Sequence, residues 1–372
     1  MARIANFDGW VELFGQWKNS MGVDHPYILN YKFEPKYGQL ENDEIEFGVY
    51  QGRKKWERLS QVPDQRMRDA LLNYIVFQGD TEFASVEQQR FLFNNAPSEY
   101  DAASLARIMT EEMRHGWQMS HLLVTYFGDS GKLEAQKLLE RRAFQHNRLL
   151  GSFNADIESW LDLFTYTQFI DRDGKYQLGM LAHSGFAPLA RSMGPMLKEE
   201  SFHLGTGNNG MMRIVKAGVI PTAILQKYIN KWVPTAYDLF GTDHSGSAHW
   251  AYVWGLKGRF DEGASDTPAD LEFMNEYARN LYIKECEGLL ERINKLLSEG
   301  QPQLFLPDTK FNRRIGGAAN QPYDLHGQLM VAEQFPAYLE AHTPNVADKI
   351  LVAQLTKTND WIMERELKTV VH

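Results

Sequence analysis

The sequence predicts an all-α protein built on a four-helix bundle. Three observations predict it: four long segments with apolar residues at helical spacing, two Glu-x-x-His pairs inside those segments, and a lone carboxylate at matched distance before each pair. Apolar or ligand-type residues fall at 72, 75, 76, 79, 82, 83 and 86, and again at 105, 108, 109, 112, 115, 119 and 122. Both sets follow the i, i+3, i+4, i+7 rule for one helix face. Ile157, Trp160, Leu161, Phe164, Gln168 and Asp171 continue the pattern, as do Leu189, Met193, Met196, Glu200 and His203. Four amphipathic helices of this kind bury their stripes against one another.

In chain order, residues 1–60 mix aromatics with Gly and Pro and carry a basic knot at Arg53-Lys54-Lys55, which reads as a loop-rich N-terminal arm with short helices. Residues 61–235 form the bundle core. Gly194-Pro195 interrupts the fourth helix just before its Glu-x-x-His, and a proline there is expected to kink or restart it. Residues 236–372 form a helical and irregular C-terminal extension packed on the core. Within it Gly241 to Pro268 reads as a connecting loop, Leu271 to Glu299 as an amphipathic helix, and Val346 to Leu367 as a final helix.

Of the 372 residues, 43% are hydrophobic and 23% charged, the balance of an ordinary folded chain. A net charge of −9 argues against a nucleic-acid partner, which needs a basic face to displace counterions from phosphates. The single cysteine, Cys286, excludes an internal disulfide, a thiolate zinc knuckle and a cysteine-bound iron–sulfur cluster within one chain, and fits a reducing cytoplasm. Asp8 and Glu12 interrupt what would be a signal peptide's apolar stretch, and no run approaches the roughly 18 to 20 apolar residues of a membrane span. The expectation is a soluble cytoplasmic protein with no membrane partner; composition leaves oligomerisation open.

The chemistry resides in Glu112-Met113-Arg114-His115 and Glu200-Ser201-Phe202-His203. Positions i and i+3 share a helix face, so each carboxylate and imidazole can reach one ion. A single such pair is common on solvated helix faces. Two pairs inside apolar stripes are a way for a bundle to hold two iron or manganese ions, provided each remaining helix adds a carboxylate. Glu82 stands 30 residues before Glu112, and Asp171 stands 29 before Glu200. Glu82 lies on an apolar stripe, where an unpaired charge is costly unless it binds something. The candidate set is therefore Glu82, Glu112, His115, Asp171, Glu200 and His203. Asp171 is the weakest member, because Asp171-Arg172-Asp173-Gly174 alone reads as a turn or helix end, with Glu158 and Asp162 as competitors. Glu111 and Glu199 point about 100° away from their neighbours and suit either a role behind the ligands or the surface. His121, His146, His183, His244 and His249 have no carboxylate at helical spacing and read as core or surface residues. Gly205-Thr206-Gly207-Asn208-Asn209-Gly210 lacks the strand and the Lys-Ser/Thr of a phosphate loop, and reads as a place of close helix approach.

With these positions placed, the sequence resembles the aromatic acyl-CoA ring epoxidases, which include the oxygenase component of benzoyl-CoA 2,3-epoxidase and the catalytic subunit of phenylacetyl-CoA epoxidase. The residues that carry the resemblance run from Gly79 to Gln89, then Glu111 to His115, Asp171 to Gly174 and Lys198 to His203, within a similarity over roughly residues 60 to 340. Leu306 to Arg313 and Ile315-Gly316 look more like the benzoyl-CoA enzyme. The resemblance implies a ferritin-like bundle and a di-iron centre on the same six residues. It also implies O₂ as co-substrate and epoxidation of the aromatic ring of an acyl-CoA thioester in aerobic aromatic degradation. No flavin, nicotinamide or iron–sulfur fingerprint is present, so a separate NAD(P)H-dependent reductase is the expected electron donor. Arg53, Lys54, Lys55 and Arg58 are a candidate site for coenzyme A phosphates, against the plainer reading of a solvated basic run. The alternatives are a radical protein like the small subunit of ribonucleotide reductase, with Tyr74 or Tyr166 near the metals, and a non-catalytic ferritin-like metal-binding bundle.

Overall fold

The computed structural model describes residues 3–365. Its helices are α1 (Phe7–Ser20), α2 (Pro26–Leu29), α3 (Gln65–Gln89), α4 (Glu99–Tyr126), α5 (Gly128–Glu140), α6 (Trp160–Ala182), α7 (Ala187–Ala217), α8 (Thr222–Leu239), α9 (Gly246–Val253), α10 (Met274–Asn294), α11 (Phe335–His342) and α12 (Val346–Leu355). Among the described residues there is no β-strand, only isolated bridges such as Trp56 with Phe186. The architecture is the expected all-α, ferritin-like bundle of α3, α4, α6 and α7. Helices α3 and α4 pack as one pair and α6 and α7 as the other, with α4 against α7 across the middle.

Local chemistry starts three of these helices where the sequence places them. Asp64, Ser98 and Ser159 each accept a backbone N–H from the first turn of α3, α4 and α6. Helix α7 ends at Gly218, whose positive φ closes the last turn. The glycines of α7 let it lie directly on α6. A Cβ on Gly207 would come within 2.7 Å of the Gln168 backbone nitrogen, and one on Gly210 within 2.1 Å of the Phe164 ring. Close approach, not phosphate binding, is what this segment provides.

Three expectations need correction. Gly194-Pro195 does not restart the fourth helix, because α7 runs unbroken from Ala187 to Ala217 with Pro195 inside it. Proline cannot donate to the carbonyl four residues earlier. That carbonyl, on Arg191, instead accepts the backbone N–H of Gly38 at 2.8 Å, so the freed acceptor docks the N-terminal segment. Second, the stretch from 241 to 268 is not only loop but contains α9. Third, the last helix stops at Leu355, followed by a short 3₁₀ turn at Asn359–Trp361; the end expected at Leu367 lies outside the described residues.

The N-terminal segment is packed in. Trp10, Phe14 and Trp17 of α1 are buried against Phe83 of α3 and Trp117 of α4. No helix is long and apolar enough to cross a membrane among the described residues.

Candidate metal centre

Glu82 comes from α3, Glu112 and His115 from α4, Asp171 from α6, and Glu200 and His203 from α7. All six are buried, the two histidines completely. Asp171 sits in the middle of α6 and not at a turn, because close packing on α7 overrides the local Asp-Arg-Asp-Gly signal.

The structure brings five of the six into two contiguous groups, Glu82–His115–Glu200 and Glu112–Glu200–His203. His115 Nδ1 lies 3.3 Å from Glu82 Oε2 and 3.4 Å from Glu200 Oε1. His203 Nδ1 lies 3.4 Å from Glu112 Oε1 and 3.4 Å from Glu200 Oε2. Glu200 therefore offers one oxygen to each side, the position of a bridging carboxylate. Asp171 stands outside both groups. It lines the same cavity, and its Oδ2 is buried with no hydrogen-bond partner. Neither competitor joins the centre. Asp162, in the first turn of α6, accepts from the Glu158 N–H at 3.0 Å, Lys231 at 2.7 Å and Trp232 Nε1 at 2.6 Å, while Glu158 pairs with Lys349 at 2.6 Å.

Glu111 and Glu199 are partners of the histidines, and they act crosswise. Glu111 follows its own helix but meets His203 Nε2 of α7 at 3.0 Å; Glu199 of α7 meets His115 Nε2 of α4 at 2.9 Å. With each Nε2 donating outward, each Nδ1 is left facing the carboxylates, and its lone pair becomes available when a cation displaces the proton. Glu111 is held in turn by Arg107 at 2.8 Å, and Glu199 by Arg114 and by Lys36 at 3.1 Å. Burial works against the charge on Glu199, but His115 and then Arg114 hold its carboxyl down to about 2.

The electrostatics of the inner cluster favour a bound cation. No lysine or arginine lies within 4.0 Å of Glu82, Glu112, Asp171 or Glu200 among the described residues; their polar partners are the two imidazoles and the Gln78 amide on Glu82. Burial pushes the Glu112 carboxyl up, and Glu82 beside it pushes it further. Asp171 is pushed up by burial and then by Glu200. Burial opposes a proton on His115 and His203, yet Glu82 and Glu200 respectively hold both well above the ordinary imidazole range. The cluster draws positive charge wherever it can, and a dication supplies that charge to hard oxygen donors and imidazole together. The donor set therefore fits two metal ions.

The phenylacetic acid catabolic protein family matches residues 57–260. The chain belongs to that family. It is 34% identical to benzoyl-CoA oxygenase component B of Aromatoleum evansii over 393 aligned residues, covering 93% of this chain and 80% of that one. It is 25% identical to a component of the 1,2-phenylacetyl-CoA epoxidase of Escherichia coli (strain K12) over 198 residues, covering 53% of this chain and 62% of that one.

In this family member a cavity of about 250 Å³ opens from the inner carboxylates between α3 and α6. Its walls include Tyr74, Phe77, Ile170, Leu181 and Leu239, with Gln177 and Lys257 as polar additions. An apolar cavity of about 150 Å³ takes benzene, so this one has room for a ring and a short substituent. Sequence reasoning missed Gln78, which stands one helical turn before Glu82 and donates to its Oε1 at 2.5 Å. It also missed Lys257, which no helical period points to. Of the basic knot, Lys55 is buried near Glu46 at 3.8 Å, Lys54 pairs with Asp43, Arg53 lies over the Tyr50 ring, and Arg58 is exposed. The remaining histidines take structural or surface places, such as His183 on Glu46 at 3.2 Å and His121 on Tyr37 at 3.0 Å.

Proposed function

We propose that the chain is the oxygenase component of an aromatic acyl-CoA epoxidase, inserting one atom of O₂ into the ring of a benzoyl-CoA-like thioester. The other oxygen atom leaves as water, and the two electrons required come from NAD(P)H through a separate reductase. The proposed ligands are Glu82, Glu112, His115, Asp171, Glu200 and His203. Two iron ions held there would supply the redox chemistry that O₂ reduction needs. The observation that carries the reading is the cluster of four buried carboxylates and two inward Nδ1 atoms with no lysine or arginine in contact among the described residues, opening into a ring-sized cavity.

The chain's own residues divide the remaining work. Glu111 and Glu199 fix both imidazole rings and keep their inner nitrogens free to bind. Gln78 holds Glu82 in one orientation. The apolar walls keep water from the reacting ring and hold it near the carboxylates, which raises the rate by orientation. The relatives' names, benzoyl-CoA oxygenase and phenylacetyl-CoA epoxidase, support this substrate class.

Tyr166 gives the radical-protein alternative one specific observation. It is fully buried, faces the same cavity, and its hydroxyl has no hydrogen-bond partner. One experiment separates the readings. The iron-loaded protein is given O₂, a reductase and a panel of aromatic acyl-CoA thioesters, with product analysis and electron paramagnetic resonance in parallel. Oxygenated thioester without a lasting radical is the expected result. A persistent tyrosyl signal with no oxygenated product would replace the epoxidase reading, and mineralised iron far beyond two ions per chain would favour storage.

A further inference from the structure

Lys257 is the one lysine or arginine among the residues that line the cavity. It lies beyond the bundle in sequence, in the loop after α9, and that loop is pinned to the end of α6. Gly258 donates its backbone N–H to Met180 O at 3.1 Å, Gly185 donates to Gly255 O at 2.7 Å, and Leu256 is fully buried. The loop thereby delivers the Lys257 ammonium to the cavity wall, where Nζ donates to Gln177 Oε1 at 2.6 Å. Gln177 in turn donates to Asp173 Oδ1 at 3.0 Å. No carboxylate lies within 4.0 Å of Lys257 Nζ among the described residues, and an ammonium has three donors of which one is used.

We propose that Lys257, aimed by Gln177, binds the acyl carbonyl oxygen of the aromatic thioester. The inference rests on the substrate class proposed above. Position supports it. Gln177 is six residues beyond Asp171, about 9 Å along the α6 axis. A ring in van der Waals contact with the inner carboxylates places its acyl oxygen roughly 8 to 9 Å from them. The opposite wall matches, since Tyr74 and Phe77 precede Glu82 on α3 and flank the same stretch of cavity. Charge supports a neutral acceptor over a free aromatic carboxylate, because an anion beside Lys257 would face Asp173, whose own ionisation burial already opposes, pushing its carboxyl up to about 7. The bond locates the thioester and, through it, which ring edge meets the metal centre.

The test compares equilibrium binding of benzoyl-CoA with its thioether analogue, in which a methylene replaces the carbonyl, to the metal-loaded protein. Wild type should prefer the thioester by roughly tenfold to a hundredfold, the size of one hydrogen bond to a charged donor. Lys257→Met should bind the two ligands equally, and Lys257→Arg should recover part of the preference. If Lys257→Met does not fold, Lys257→Gln carries the comparison, with the preference reduced at least severalfold. A folded Lys257→Met protein that keeps the full wild-type preference overturns the proposal while leaving the epoxidase reading intact. Wild-type protein that binds no aromatic acyl-CoA overturns both. Tight benzoate binding that Lys257→Met abolishes would assign the ammonium to a free carboxylate and overturn the thioester.

Discussion

One helix, α3, carries three buried carboxylates with opposite surroundings. Asp80 and Glu87 are seven residues apart and share a face; Glu82 points about 200° round from Asp80. The outer pair is neutralised within the chain. Arg148 lies 3.1 Å from Asp80 and 2.9 Å from Glu87, and the backbone N–H groups of Leu149 and Ala143 donate to the same two carboxylates at 2.8 and 2.7 Å. Glu82, on the inner face, joins Glu112, Asp171 and Glu200 with no lysine or arginine in reach, only the two imidazoles. Burying a charge is costly in both places. The outer face meets that cost with arginine, whereas the inner face has only the two imidazoles, which is what supports the proposed metal site. The contrast separates structural from functional charge without reference to any relative.

The largest effect should come from breaking the inner set. Glu112→Ala or His203→Ala should lower bound metal and take turnover to background, read by metal analysis beside product formation. Full metal retention in both variants would remove the proposed site. Arg148→Met addresses the outer set and should do the reverse. It leaves Asp80 with Arg141 at 3.4 Å and Glu87 with Arg142 at 3.7 Å as their remaining cations, so urea unfolding should show a loss of about 3 kcal/mol, the low end for a buried pair that loses one partner. The folded fraction should keep its metal stoichiometry. Metal loss as severe as in Glu112→Ala would show that the two faces are not separable.

A smaller effect tests the crosswise histidine contacts. Glu111→Gln and Glu199→Gln keep the shape but weaken the hold on His203 and His115, and each should lower metal affinity roughly 10- to 100-fold. Because each acts on the histidine of the other helix, Glu111→Gln should match the effect of perturbing His203 and not His115. Competition with a chelator of known affinity measures this, and unchanged affinity in both variants would reduce Glu111 and Glu199 to packing residues.

The bundle and the inner set were legible because helical period and the paired spacings depend only on which face a residue occupies. The crosswise contacts were not, since a glutamate turned about 100° from its neighbour finds a partner only when the register between α4 and α7 is known. Asp171 was obscured by a local turn signal that packing against α7 overrides. Pro195 misled for a related reason: the broken hydrogen bond was readable, but the Gly38 N–H that takes its place comes from 157 residues away. Lys257 had no local signal at all, because its position depends on a loop folding back onto the end of α6.

Lys257 extends the comparison to positive charge, being a cavity-facing cation without a carboxylate in contact, unlike the paired Arg148. Burial lowers its pKa to about 8, with Asp173 on α6 pulling upward. Tyr74, facing the same space from α3, is raised to about 12 by burial and stays neutral across the range in question. The folded pKa lies below the ordinary lysine value, so the native protein holds fewer protons than the unfolded chain between about 8 and 10.5. The charged form therefore costs stability in full below about 8, and that cost is lost as pH rises from about 8 to about 10.5. Ligand binding has the opposite sign, since the acyl oxygen needs the ammonium. The preference for thioester over thioether should hold below about pH 8 and decline severalfold above it, with Lys257→Met showing no such slope. A wild-type preference that stays level from pH 7 to 9.5 would mean that Lys257 is not the donor the substrate uses.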